Sequence, residues 1–200
     1  MDLKHTALIL IGYQNDYFAP NGILHHALEN SEQVGQVLQN SLVFIEHLLP
    51  TDATVVTTPI IFTPDYSELS DPIGILKIIK ENGAFKSGSP GAETIDEIKV
   101  FGTDIGNIPG KRGLSCFSKT ALHKVLQQHQ ITDVIIAGAV TSLCIDSAGR
   151  EAAELGYRVT ILSDCTVART SFEQEYYLRE IMPMYATVAS SADMVQKLGL

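Results

Sequence analysis

"TDVIIAGAVTSLCIDSAGREAAELG", residues 132–156, changes its period halfway along. The first part, "TDVIIAGAV" (132–140), is a short apolar run rich in β-branched residues, the pattern of a strand buried on both faces. The second part, "SLCIDSAGREAAELG" (142–156), carries helical spacing and closes on Gly156, a residue suited to the position just past a helix end. A buried strand running directly into a helix is half of a parallel strand–helix–strand unit. "YRVTILSDCT" (157–166) supplies the strand that follows.

The same alternation extends in both directions. Upstream, "TALILIG" (6–12) reads as a buried strand, and residues 30–50 as a helix with apolar positions at Val34, Val37, Leu38, Leu42, Phe44, Ile45, Leu48 and Leu49, ended by Pro50. "ATVVTTPII" (53–61) reads as a strand, residues 90–98 as a short helix, and "KTALHKVLQQHQ" (119–130) as a helix. Downstream, residues 171–183 read as a helix and "YATVAS" (185–190) as a last short strand. No repeat, low-complexity tract or linker interrupts the pattern. The expectation is one domain over residues 1–200, α/β in class. A central, mainly parallel sheet would lie between two layers of helices, a three-layer α-β-α sandwich. Sites in such sheets form beyond the carboxyl ends of the strands. That singles out the chain after Ile11, after Ile61 and after Val140.

Composition limits the functional classes. The 200 residues are 45% hydrophobic and 18% charged, enough for a large core, with a formal net charge of −9. Such a balance argues against nucleic acid or an acidic membrane surface as partner. No apolar run approaches the roughly 18 residues of a membrane span. The start "MDLKHTALILIG" lacks the features of a secretory signal. Cysteines 116, 144 and 165 are odd in number and show no CxxC spacing. They fit a reduced, cytoplasmic setting. The six histidines make no metal-binding pattern, so no metal and no cofactor are expected.

Cys144 falls just inside the turn from strand to helix. A cysteine there meets the positive end of the helix dipole and free backbone N–H groups, both of which favour a thiolate. The same amides can hold an oxyanion when a carbonyl is attacked. Position alone also fits a small, buried apolar residue. Cys116 and Cys165 have the weaker placement and read as structural. "IPGKRGLSCFSKT" (108–120) offers two cations, Lys111 and Arg112, which read equally well as solvated charges in a turn.

The blocks "ALILIGYQNDYF", "GKRGLSCFSKTALHKVL" and "DVIIAGAVTSLCIDSAGREAAELGYRVTILSDCTVA" together resemble the isochorismatase-like cysteine hydrolases, a family that includes nicotinamidases and N-carbamoyl amide hydrolases. The resemblance runs from about residue 6 to 190. The middle stretch "TPIIFTPDYSELSDPIGILK" is similar to a less characterised branch. It implies the Rossmann-like hydrolase fold and hydrolysis of a C–N bond in a small amide or carbamoyl substrate through a thioester. Cys144 would be the nucleophile, and Lys111 would stabilise negative charge. The family's cis peptide would fall at Ala139–Val140, with the Val140 and Cys144 N–H groups forming the oxyanion hole. Tyr17, Phe18 and Phe117 would border the substrate pocket or lie in the core. Homo-oligomers, dimers or tetramers, are implied by analogy. The divalent metal of nicotinamidases is not implied, because the matching region holds Asp65 and Asp71 but no histidine.

One departure stands out. The family pattern I-D-x-Q-N-D ends the first strand with the acid that moves protons, and here the sequence reads Ile11-Gly12-Tyr13-Gln14-Asn15-Asp16. Three readings follow from Gly12. Another group, Asp16 or His25, substitutes; or water occupies the space while Lys111 alone keeps Cys144 ionised; or the chain is a catalytically impaired homologue that binds a small molecule or regulates a partner.

Overall fold

Along the chain, β1 (Thr6–Ile11) leads to a single helical turn, α1 (Asn15–Phe18), then α2 (Ser31–Leu48), β2 (Thr54–Thr58), α3 (Gly74–Asn82) and α4 (Asp96–Lys99). Next come β3 (Gly106–Asn107), α5 (Leu122–Gln128), β4 (Asp133–Ala139), α6 (Asp146–Glu154), β5 (Arg158–Val167), α7 (Ser171–Tyr176), β6 (Thr187–Ala189) and α8 (Ser191–Leu198). These elements belong to a computed structural model that describes residues 1–28 and 31–200. Residue 30, the expected first residue of the long helix, lies outside the described residues.

Six strands form one sheet in the order β3-β2-β1-β4-β5-β6, and every pairing is parallel. Successive residues of a strand face opposite sides, and two cores result. Leu8 and Leu10 of β1 join Phe44, Ile45 and Leu48 of α2, Ile79 of α3 and Met194 of α8 on one face. Ala7, Ile9 and Ile11 join Leu122 and Leu126 of α5 and Ala148 and Ala152 of α6 on the other. All seven residues of β4 are buried, as a parallel strand covered on both faces requires. Each large apolar side chain so buried is worth about 1.5–3 kcal/mol. Among the described residues, no helix is long and apolar enough to cross a membrane.

Several expected boundaries move. The 119–130 helix contracts to α5, because Lys119 and Gln130 take positive φ angles of 58° and 54° and so lie outside it. The 90–98 helix splits into a 3₁₀ turn at Pro90–Ala92 and α4, with Glu93 and Ile95 extended between them. The 171–183 helix is regular only to Tyr176; it widens over Tyr177–Ile181 and tightens at Met182–Met184. Pro183 there has no N–H with which to continue a helix. The 53–61 strand leaves the sheet at Thr58. The sequence reading also passed over α3, β3 and α8.

Candidate active site

The strand order reverses between β1 and β4. From β1 the chain moves outward to β2 and β3, and from β4 to β5 and β6 on the other side. Their carboxyl ends therefore open a crevice at the switch point, where ligands bind in open parallel sheets. Ile11 pairs in register with Gly138. A β-carbon on Gly138 (φ 125°) would stand 1.8 Å from the Ile11 carbonyl oxygen, so only glycine lets the two strands close up here. The next peptide, Ala139–Val140, is cis.

Cys144 lies beyond this point, in a wide turn rather than in a regular helix beginning at residue 142. Leu143 and Ile145 both donate to the Val140 carbonyl, at 3.0 and 3.2 Å, and the second bond spans five residues. Regular helix starts only at Asp146. Such π-type turns recur at functional sites. Helix α7 buttresses this one from the side. The Thr141 hydroxyl donates to Gln174 Oε1 at 2.7 Å, and Gln174 Nε2 donates to the Thr166 carbonyl at 2.9 Å. The Ser142 hydroxyl donates to Glu173 Oε2 at 3.1 Å. Burial works against the Glu173 carboxylate, but Arg169 and Ser142 outweigh it and hold its pKa below the usual value. Sequence reasoning missed Gln174 and Glu173, which carry no motif.

Lys111 reaches the same point from the loop before α5. Its backbone bridges to Ile60 beyond the end of β2. Its Nζ donates to the Gly113 carbonyl at 2.5 Å and lies 3.5 Å from Cys144 Sγ. Lys111 is only 1% exposed, and among the described residues its ammonium pairs with no carboxylate. A buried ammonium without an anion is expensive, and the sulfur is the group placed to supply one. Arg112, next in sequence, points elsewhere and pairs with Glu68 at 2.9 Å. The other two thiols differ. Burial pushes both Cys116 and Cys165 up to about 12, so they remain neutral thiols.

Among the described residues, the atoms that a side chain at residue 12 would meet first are the Ala139 carbonyl oxygen and the Tyr17 ring. Gly12 takes a positive φ of 75°, and a β-carbon there would meet the Ala139 carbonyl oxygen at 2.9 Å and the Tyr17 ring at 3.3–3.4 Å. Tyr17, 4% exposed, covers this spot. Its ring packs on Phe85, with centroids 5.0 Å apart, and its carbonyl accepts from His25 Nδ1 at 2.9 Å. The rest of "QND" is scaffolding. Gln14 grips Ile60 through both its N–H and its carbonyl and also donates to the Ala92 carbonyl; Asn15 donates to the Pro90 carbonyl. Asp16 accepts from the Phe85 and Ile23 amides at 2.6 and 3.3 Å. Both proposed substitutes for the acid, Asp16 and His25, are thus engaged in holding the first loop together.

Of the expected pocket aromatics, Tyr17 stands at the crevice. Phe18 turns inward and stacks on Tyr13, with centroids 4.8 Å apart and planes 12° apart, so it is core. Phe117 is buried in the apolar cluster that includes Cys144 and packs toward Tyr157. Asp65 is engaged by the Thr63 hydroxyl and the Ser67 amide, and among the described residues no three metal-binding side chains converge.

Comparison with known proteins agrees with this architecture. Residues 6–193 match the Isochorismatase domain. Nicotinamidase 3 of Arabidopsis thaliana is 27% identical over 179 residues, 90% of this chain and 80% of its own. A ureidoacrylate amidohydrolase of Caulobacter segnis is 26% identical over 212 residues, 100% of this chain and 88% of its own. Among solved structures, a cysteine hydrolase from Pseudomonas syringae pv. phaseolicola superposes with a TM-score of 0.86 at 20% identity, covering 100% of this chain and 94% of that one. At that identity the last match speaks for the fold.

Proposed function

The chain belongs to the isochorismatase family of hydrolases, and from that premise we propose that it cleaves the C–N bond of a small amide or carbamoyl compound through a thioester on Cys144. The observation that carries this reading is the Lys111 ammonium 3.5 Å from the Cys144 sulfur at the strand switch point. The amidase names of two relatives support it.

In this reading the Cys144 thiolate, balanced by Lys111, attacks the substrate carbonyl. The C=O electron pair moves onto oxygen, where the Val140 and Cys144 backbone N–H groups receive it. Donors fixed before the reaction stabilise such developing charge without reorganising. Collapse expels the nitrogen and leaves the acyl group on sulfur, and water then releases it as a carboxylic acid and restores the thiolate. The reading extends to a cytoplasmic homo-oligomer that acts without a resident metal.

A panel of primary amides and carbamoyl compounds, read by ammonia release, tests it. Turnover of at least one member, abolished by Cys144→Ala, is expected. A silent panel, together with a small molecule that raises the melting temperature without being consumed, would instead support a binding role.

A further inference from the structure

The oxyanion donors of the proposed reaction, the Val140 and Cys144 amides, ride on a turn organised by one carbonyl. The Val140 carbonyl accepts from the amides of Leu143 and Ile145, on either side of Cys144. Thr141 shares a peptide group with that carbonyl, so a rotation at Thr141 tilts it and carries both donors along. Among the described residues, the Thr141 hydroxyl has one partner, Gln174 Oε1 of α7, at 2.7 Å. Both side chains are buried, Thr141 completely.

The nitrogen of the same Gln174 amide is anchored in the sheet. Nε2 donates to the Thr166 carbonyl at 2.9 Å and reaches the Ser163 carbonyl and the Thr166 hydroxyl at 3.3 Å each. This part of β5 is irregular: Ile136 pairs with Ile161, yet Gly138 pairs with Thr166. The two carbonyls can only accept, so they turn the amide nitrogen toward β5 and its oxygen toward Thr141. The Thr141 hydroxyl then donates to a fixed acceptor. One side chain thereby ties the irregular stretch of β5 to the first residue of the nucleophile turn.

Resting on the hydrolase reading, we propose that Gln174 is a positioning residue for the oxyanion hole. Through the Thr141 hydroxyl it sets the tilt of the Val140–Thr141 peptide and aims the Val140 and Cys144 amides at the carbonyl oxygen that gains charge. Lys111 reaches the sulfur from the loop before α5 and not through α7. Charge on sulfur and aim of the amides are therefore held by separate elements, and two reagents tell them apart. Iodoacetamide alkylates a thiolate by displacement at a saturated carbon and builds no oxyanion. p-Nitrophenyl acetate builds one: the S–C bond forms as the C=O pair moves onto oxygen, and its return expels p-nitrophenolate.

The test measures both rates at Cys144 in the same preparations, with the ester burst amplitude counting intact sites. Thr141→Val removes the bond and keeps the shape, and Gln174→Met removes it from the other side. Each is expected to lower the ratio of acylation to alkylation by about 10²-fold, the scale of a misplacement of about 1 Å. The double variant should lower it no further, because both single changes remove one bond. Thr141→Ser, which keeps the hydroxyl, should hold the ratio near the wild-type value. Lys111→Met should slow both reactions. A purely structural tie would lower the urea midpoint and the burst amplitude but leave the ratio of the surviving sites unchanged. That result, alkylation falling in step with acylation in Thr141→Val, or an equal loss in Thr141→Ser would overturn the proposal. Should Gln174→Met not fold, Thr141→Val decides alone, since it leaves every bond from Gln174 to β5 in place. Failure of the underlying hydrolase reading looks different: the wild-type ester burst would be missing or would persist in Cys144→Ala, and the proposal would fall with it.

Discussion

The two flanks of the crevice are built by opposite means. On the Cys144 flank the fold positions charge. A buried ammonium faces a sulfur at 3.5 Å, and the turn carrying that sulfur is pinned by Gln174 and Glu173. On the residue-12 flank the fold positions shape. A glycine with φ 75° brings the backbone against the Ala139 carbonyl, and an aromatic ring occupies the remaining space. The lesson is that Gly12 is more than a carboxylate subtracted. The backbone there has a conformation that the carboxylate-bearing residue would not readily adopt, and the Tyr17 ring stands 3.3–3.4 Å from where its β-carbon would be.

Substitutions can break this contrast, beginning with the largest effect. Cys144→Ala should remove amide turnover entirely in the ammonia assay. Lys111→Met should lower kcat by about 10²–10³-fold, on the scale seen when a single preorganised charge-stabilising donor is lost. Its stability, read by urea unfolding, should stay level or rise, because an apolar chain replaces a buried cation of similar length. Gly12→Asp returns the acid in name only. It forces a left-handed backbone on a residue with a β-carbon, at about 1–2 kcal/mol, and adds the 2.9 Å contact with Ala139. A lower urea midpoint with no gain in turnover is expected, and a gain would show that this flank adapts freely.

The smallest effect lies at the far end of β4, away from the crevice. Asp133 accepts from Arg158 Nε at 2.7 Å and from the Thr132 hydroxyl at 2.7 Å. Burial alone would raise its pKa, but Arg158 and Thr132 outweigh burial and hold the carboxyl below its usual value. A depressed folded-state pKa stabilises above the unfolded value, about 3.9, and that contribution fades as pH falls through the folded value. Asp133→Asn should therefore lower the urea midpoint slightly at neutral pH. The difference should shrink progressively as the pH falls below about 4.

Much of this was legible in the residues, for identifiable reasons. β1 and β4 stood out because strands buried on both faces are near-continuous apolar runs. The turn to α6 stood out because Gly156 closes that helix in a left-handed conformation, φ 91°. β3 was not legible: two residues on a sheet edge, Gly106 and Asn107, carry no pattern. α8 was legible in principle, since Ser190 and Asp193 form a reciprocal capping box. α3 likewise ends on Gly83 at φ 74°. In the site, Lys111 and Cys144 could be named because the family resemblance assigns them; position and charge alone left both open. The placement of the Tyr17 ring could not, because it depends on the space that a backbone angle at Gly12 leaves open. For Phe18 the sequence left pocket and core open, and the structure places it in the core. Adjacent residues of a single helical turn face different directions, and sequence alone did not say which ring turns toward Tyr13.

The pairing of Lys111 with the Cys144 sulfur is tested most directly by iodoacetamide labelling at neutral pH, followed residue by residue by mass spectrometry. Cys144 is expected to be modified first, with Cys116 and Cys165 trailing far behind, and Lys111→Met should slow the modification of Cys144 markedly. Labelling of Cys144 that is no faster than that of the other two, or that is indifferent to residue 111, would contradict it.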